Sequence, residues 1–90
     1  MSDLKDTVNL MLSEDYKDRF AAEYFQTFTR YLRLKRFCNR IEAAQIIGIT
    51  EPEHDCPLQL LREQQSAMGN YLRILELRAE IENINIWGDL

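Results

Sequence analysis

Residues that break or staple a chain are scarce: three Gly, two Pro and two Cys in 90 residues. Such a composition excludes a large catalytic scaffold and a nucleotide-binding α/β fold, and no biased repeat or charge block argues for disorder. Two cysteines, Cys38 and Cys56, exclude a disulfide-rich secreted module, and in a cytosolic chain such thiols stay reduced. A long apolar run is also missing. Nothing approaches the roughly 20 residues that span a bilayer, and Met1 to Leu12 carries acids where a signal peptide carries bases. A cytoplasmic protein that meets no membrane is expected. There is one His, so Cys38, His54 and Cys56 give at most three soft ligands where a structural zinc site needs about four in paired spacings. No metal and no cofactor are expected. The same residues make no nucleophile and base with an orienting third group, so no catalytic residue is assigned and the chain is not expected to be an enzyme. Glu76, Glu80 and Glu82 lack the His of a ferritin-type ExxH pair, and Glu76 and Glu80 are assigned to the wet face.

What is present is ordinary apolar content, 46%, and 29% charged residues, with 15 acids against 11 bases. That balance opposes binding to duplex DNA. A single domain of this length buries only about 60 to 65% of its unfolded surface, so an added interface would help it.

The pattern is helical. Ser13 before Glu14, Asp15 and Tyr16 reads as a helix start, because a Ser oxygen accepts an orphan N–H and acids suit the positive helix end. No Gly or Pro interrupts the chain from there to Ile47, and Gly48 suits the left-handed position that ends a helix. Glu51, Pro52, Glu53, His54 and Asp55 form an acidic connector. Pro57 fits the first helical position behind Asp55 or Cys56 as cap, and a second helix runs to about Asn83, with Gly69 as its weak point. The expected layout is a segment 1–12 with Leu4, Val8, Met11 and Leu12 on one side, a helix over 14–47, a connector 48–56, a helix over 57–83 and a tail 84–90.

Phe20, Tyr24, Thr27, Tyr31, Leu34, Cys38 and Ile41 step by four and three, as do Leu61, Gln65, Met68, Leu72, Leu75 and Ala79. Two such seams make an all-α, antiparallel two-helix hairpin. Apolar residues are left over. Ala21, Phe25, Phe28, Leu32, Ala43 and Ile46 gather on a second arc about 100° away from the first. Tyr71, Ile74 and Trp87 also lie beside or beyond the second seam. An apolar patch of this kind marks an interface, and symmetric self-association is the commonest cover. The expected state is a homodimer or higher oligomer forming a helical bundle, held by Phe25, Phe28, Leu32, Ile46, Tyr71, Ile74 and Trp87. The alternative is that the two chain ends fold back over the second arc.

One charge feature stands out. Arg30, Arg33, Arg36 and Arg40 fall within about 120° of one helix face, with Lys35 pointing elsewhere. Guanidinium forks bind phosphate or carboxylate at two points, and Tyr31 or Phe37 could stack a base beside them. The competing reading is a solvated face paired with Glu23, Glu42 or acids of a neighbouring helix. Gln65, an amide on the seam, either sets register or contacts a ligand through directional hydrogen bonds.

Several stretches are familiar as a set: Tyr16-Lys17-Asp18-Arg19-Phe20, Glu23-Tyr24, Cys56-Pro57-Leu58-Gln59-Leu60-Leu61, Gln65, Met68, Tyr71-Leu72, Leu75-Glu76 and Arg78-Ala79-Glu80-Ile81-Glu82. Over roughly Tyr16 to Ile86 the chain resembles a family of small helical accessory proteins of tailed phages and prophages, crAss-like phages included. It departs at Asn83, where that pattern places Gly. The resemblance implies a phage protein in the cytoplasm of a bacterial host that neutralises a host factor by binding. The first expectation is an anti-CRISPR-like inhibitor of a host protein. The second is an oligomeric sponge for an anionic nucleotide immune signal, cyclic or of ADP-ribose type, and the third is a structural or regulatory phage part. The candidate contacts are Arg30, Tyr31, Arg33, Arg36, Phe37, Arg40 and Gln65.

Overall fold

The computed structural model describes Leu12 and residues 15–87. Apart from Leu12, the expected N-terminal segment, the Ser13 helix start and the end of the tail at Leu90 lie outside the described residues. Two helices, α1 (Tyr16–Ile47) and α2 (Leu58–Glu82), form an antiparallel hairpin, and no strand occurs among the described residues. At about 1.5 Å per residue a helix as long as α1 measures about 48 Å, which matches the 49 Å long axis of the molecule.

Local chemistry sets the helix ends. The N-cap of α1 is Asp15: its Oδ1 accepts the Lys17 N–H at 2.8 Å from an extended backbone. The N-cap of α2 is Pro57, with φ −60° and ψ 144°, and it makes no side-chain cap bond. Proline was expected one position further in, but an extended ψ places it just outside the helix. Both helices stop in the same manner. Gly48 (φ 75°) and Asn83 (φ 58°) are left-handed, and the N–H groups of each and of its successor return to the carbonyls of Ala44 and Ala79. Asn tolerates this conformation better than other residues with a Cβ, so it does the work of the expected Gly.

The two seams meet. Phe20, Tyr24, Thr27, Cys38 and Ile41 of α1 and Leu72, Leu75 and Ala79 of α2 are buried, with Tyr31, Leu34, Leu61, Gln65 and Met68 half-buried beside them. Gly69 is a point of close approach rather than a weakness: a Cβ there would lie 3.2 Å from Cε1 of Tyr31. Glu76 is not on the wet face. It is half-buried and accepts a 2.6 Å hydrogen bond from the Tyr24 hydroxyl. Nearby, the Thr27 hydroxyl donates to Glu23 at 3.0 Å, so the one buried polar side chain among the described residues is satisfied.

Behind Asn83 the tail turns back onto the helices. Ile84 and Ile86 join the core cluster of Phe20, Tyr24, Leu72, Leu75 and Ala79, against which Ala21, Phe25 and Phe28 pack half-buried. Tyr24 stacks on Phe28 at 5.8 Å and meets Trp87 edge-on at 5.7 Å. The tail of the same chain thus covers part of the second arc, where Phe25 and Phe28 are half-buried, while Trp87 itself stays exposed at 45%. Leu32 is half-buried, whereas Ile46, Tyr71 and Ile74 are exposed. The open end of the hairpin is closed by Tyr16, which donates to Glu82 at 2.8 Å, and by Arg78, which pairs with Glu82 at 2.8 Å and lies over the Phe20 ring.

Candidate functional site

Four residues on the exposed side of α1 line a shallow recess of about 260 Å³: Arg33, Arg36, Phe37 and Arg40. Their spacing explains the grouping. Positions 33, 36, 37 and 40 recur every three or four residues, so one face of an uninterrupted helix carries three guanidiniums around one ring. Among the described residues, none of these arginines makes a hydrogen bond or an ion pair. The acids that could have neutralised them are engaged elsewhere. Glu23 accepts from Thr27 and from Tyr71, at 3.0 and 3.3 Å, and Glu42 pairs with Arg62 at 3.5 Å. Positive charge without a partner beside an aromatic face fits a planar, anionic ligand.

The remaining candidates stand apart from the recess. Arg30 reaches Thr27 at 3.5 Å, and Tyr31 is spent on the close packing against Gly69. Gln65 accepts a 2.6 Å bond from Arg62, which also donates to Asn39 at 3.0 Å and so ties α2 to α1. Phe37 is therefore the ring available to a ligand.

The connector contributes residues that the sequence reading passed over as a solvated turn. His54 meets Phe37 edge-on, with ring centres 6.4 Å apart. Its Nδ1 lies 2.6 Å from the Cys56 carbonyl and its Nε2 lies 3.0 Å from Glu51 Oε1. Both neighbours are acceptors, so the imidazolium satisfies both contacts. The carbonyl first and Glu51 second hold its pKa above the ordinary 6.5. Reciprocally, the His54 bond and then that of Gln45 lower Glu51 below its ordinary value, against the opposing effect of burial. The available signal was the Glu51 and His54 spacing of three, which only becomes a contact once the connector curls. A second recess of about 390 Å³ lies here, lined by Ala43, Ala44, Ile47, Ile49, Thr50, Pro52, Glu51 and Arg40, the last shared with the first recess.

Among the described residues, no group of three or more His, Cys, Asp or Glu could hold a metal ion, and no helix is long and apolar enough to cross a membrane. Cys38 is buried and Cys56 exposed, both as free thiols. A family model described as Sequestin matches residues 14–81, spanning both helices and the connector between them. The chain belongs to the Sequestin family. Its Sequestin segment contains the whole arginine recess and the connector recess. No curated protein and no solved structure matches the chain.

Proposed function

We propose that the chain is a non-catalytic sequestering protein that holds an anionic nucleotide on Arg33, Arg36 and Arg40 with a base against Phe37, and that it acts as an oligomer. One observation carries this reading: three arginines that have no partner among the described residues line one recess with the half-buried ring of Phe37. Phosphate oxygens supply the charge that the chain withholds from these side chains, and the ring supplies a stacking surface. The family name, which speaks of sequestration, favours this over masking of a host protein. The ligand class is a cyclic or ADP-ribose-type nucleotide used as an immune signal. Its capture by a phage protein in the bacterial cytoplasm would silence the defence without any bond being broken.

The test is native mass spectrometry of the protein purified from cells, followed by calorimetric titration with a cyclic dinucleotide and with ADP-ribose. Arg33→Glu with Arg36→Glu is expected to weaken binding by about 100-fold or more, since each charge-assisted contact contributes about 1.5–3 kcal/mol. Helicity should stay unchanged. A host protein retained in place of a nucleotide, with neither probe bound, would overturn this reading in favour of masking.

A further inference from the structure

The arginine recess alone is smaller than the roughly 300 Å³ at which small-molecule pockets usually begin. The connector recess adjoins it, and Arg40 lines both. Across this second space Arg40 faces the connector, and neither it nor the free oxygen of Glu51 has a partner among the described residues. Glu51 is anchored in an uneven way. His54 and Gln45 both donate to its Oε1, at 3.0 and 3.2 Å, which leaves Oε2 as an acceptor with no donor of its own. The carboxylate is thus turned by two bonds on one oxygen and keeps the other for something else. Small apolar walls complete the space: Ala43, Ala44 and Pro52.

An ionised carboxylate that has spare acceptor capacity calls for a neutral hydroxyl donor, while the guanidinium on the other side calls for phosphate. A sugar phosphate offers both within one residue of a ligand. We infer that the connector recess is a sugar subsite, in which Glu51 accepts hydrogen bonds from a ribose diol while Arg40 bridges to phosphates lying on Arg33 and Arg36. His54 is a positioning residue: it holds Glu51 through Nε2 and touches Phe37 on its other side, so that one connector side chain braces both halves of the site. The assignment rests on the reading that the arginine recess binds nucleotide phosphates, and it adds which part of the ligand goes where.

The experiment compares three probes by calorimetry: inorganic pyrophosphate, ADP, and 2′,3′-dideoxy-ADP, which keeps the base and both phosphates but lacks the diol. The wild-type protein is expected to bind ADP about tenfold more tightly than dideoxy-ADP, because loss of a hydroxyl leaves a charged acceptor unpaired. In Glu51→Ala that preference should vanish, with ADP falling to the dideoxy level and pyrophosphate unchanged. His54→Gln should reduce the preference in part. Circular dichroism of each variant checks that the hairpin is intact. Equal binding of ADP and dideoxy-ADP by the wild type, still lost in Arg33→Glu with Arg36→Glu, would overturn the sugar subsite and leave the phosphate site standing. A diol preference that survives Glu51→Ala would overturn the role of Glu51. Binding of none of the three would overturn the sugar subsite, and if the cyclic dinucleotide and ADP-ribose also fail to bind, the nucleotide reading falls with it.

Discussion

At the scale of the residue, the side chains that matter most are those whose polar atoms meet at the edge of the core. Tyr24 is almost wholly buried, and its hydroxyl has one good partner, Glu76 at 2.6 Å. Burial, and then the adjacent carboxylate, push the phenol well above its ordinary titration range, so it stays a donor at every pH the folded chain meets. Tyr24→Phe removes that donor and leaves a half-buried carboxylate facing apolar surface. The expected loss is about 1.5–2 kcal/mol in urea unfolding. Glu76→Gln, which keeps an acceptor, should lose less. His54 makes a different prediction, because its pKa is raised rather than that of an acid lowered. Its contribution to stability is fully present below the ordinary value of 6.5 and disappears as pH rises through the higher folded value. Glu51 acts in the opposite sense: its contribution is present above the ordinary 4.5 and is lost as pH falls through a lower folded value. Both contributions are therefore fully present between about pH 4.5 and pH 6.5, and the connector is held best there. Melting temperature followed from pH 5 to 9 should fall through the His54 transition in the wild type and lose that component in His54→Gln. An unshifted His54 titration by NMR would contradict it.

At the scale of the element, the helix seams were legible because spacing alone placed Phe20, Tyr24, Cys38 and Ile41 opposite Leu72, Leu75 and Ala79, and all of them are buried. Gly48 was legible as a helix end for the same local reason, a backbone that needs no Cβ. Other features depend on contacts between distant positions, which periodicity does not encode. Ile84 and Ile86 look like surplus apolar residues until the turn at Asn83 sends them back onto α1. Glu76 looks solvated until Tyr24 reaches across the hairpin. Within the candidate site, the arginine stripe with Phe37 could be read from helical arithmetic, whereas the braced pair of Glu51 and His54 could not, because a non-repetitive connector has no period. Asn83 supplies the test at this scale. Asn83→Ala puts an ordinary Cβ residue at φ 58° and should destabilise the hairpin by about 1 kcal/mol in urea unfolding. Asn83→Gly should be neutral or slightly stabilising. Equal stability of all three proteins would mean that the turn does not control how the tail docks.

At the scale of the whole molecule, a hairpin 49 Å long and about 25 Å wide has little interior, and its surface shows where more could be gained. Leu60, Ile74 and Ile81 are exposed by 52, 41 and 79%. They sit at sevenfold spacings along α2, with Ala67 filling the missing step, and Leu77 lies beside them. A repeat of seven is the period of a helix seam, yet by helical arithmetic this one points away from α1, opposite Leu72 and Ala79. The chain carries a seam without a partner helix inside the described hairpin. A second copy offers the same stripe to it, which is the condition for a two-fold interface. Such pairing would use the outer side of α2 and leave the arginine recess on α1 open to a ligand. Light scattering is expected to give at least twice the mass of one chain. Ile74→Glu combined with Ile81→Glu places charges in that stripe and should return a monomer with unchanged helicity, since neither side chain takes part in the core between the helices. If the double variant stays associated, the copies meet through another surface, with exposed Ile46 and Ile47 at the connector end as the next pair to substitute.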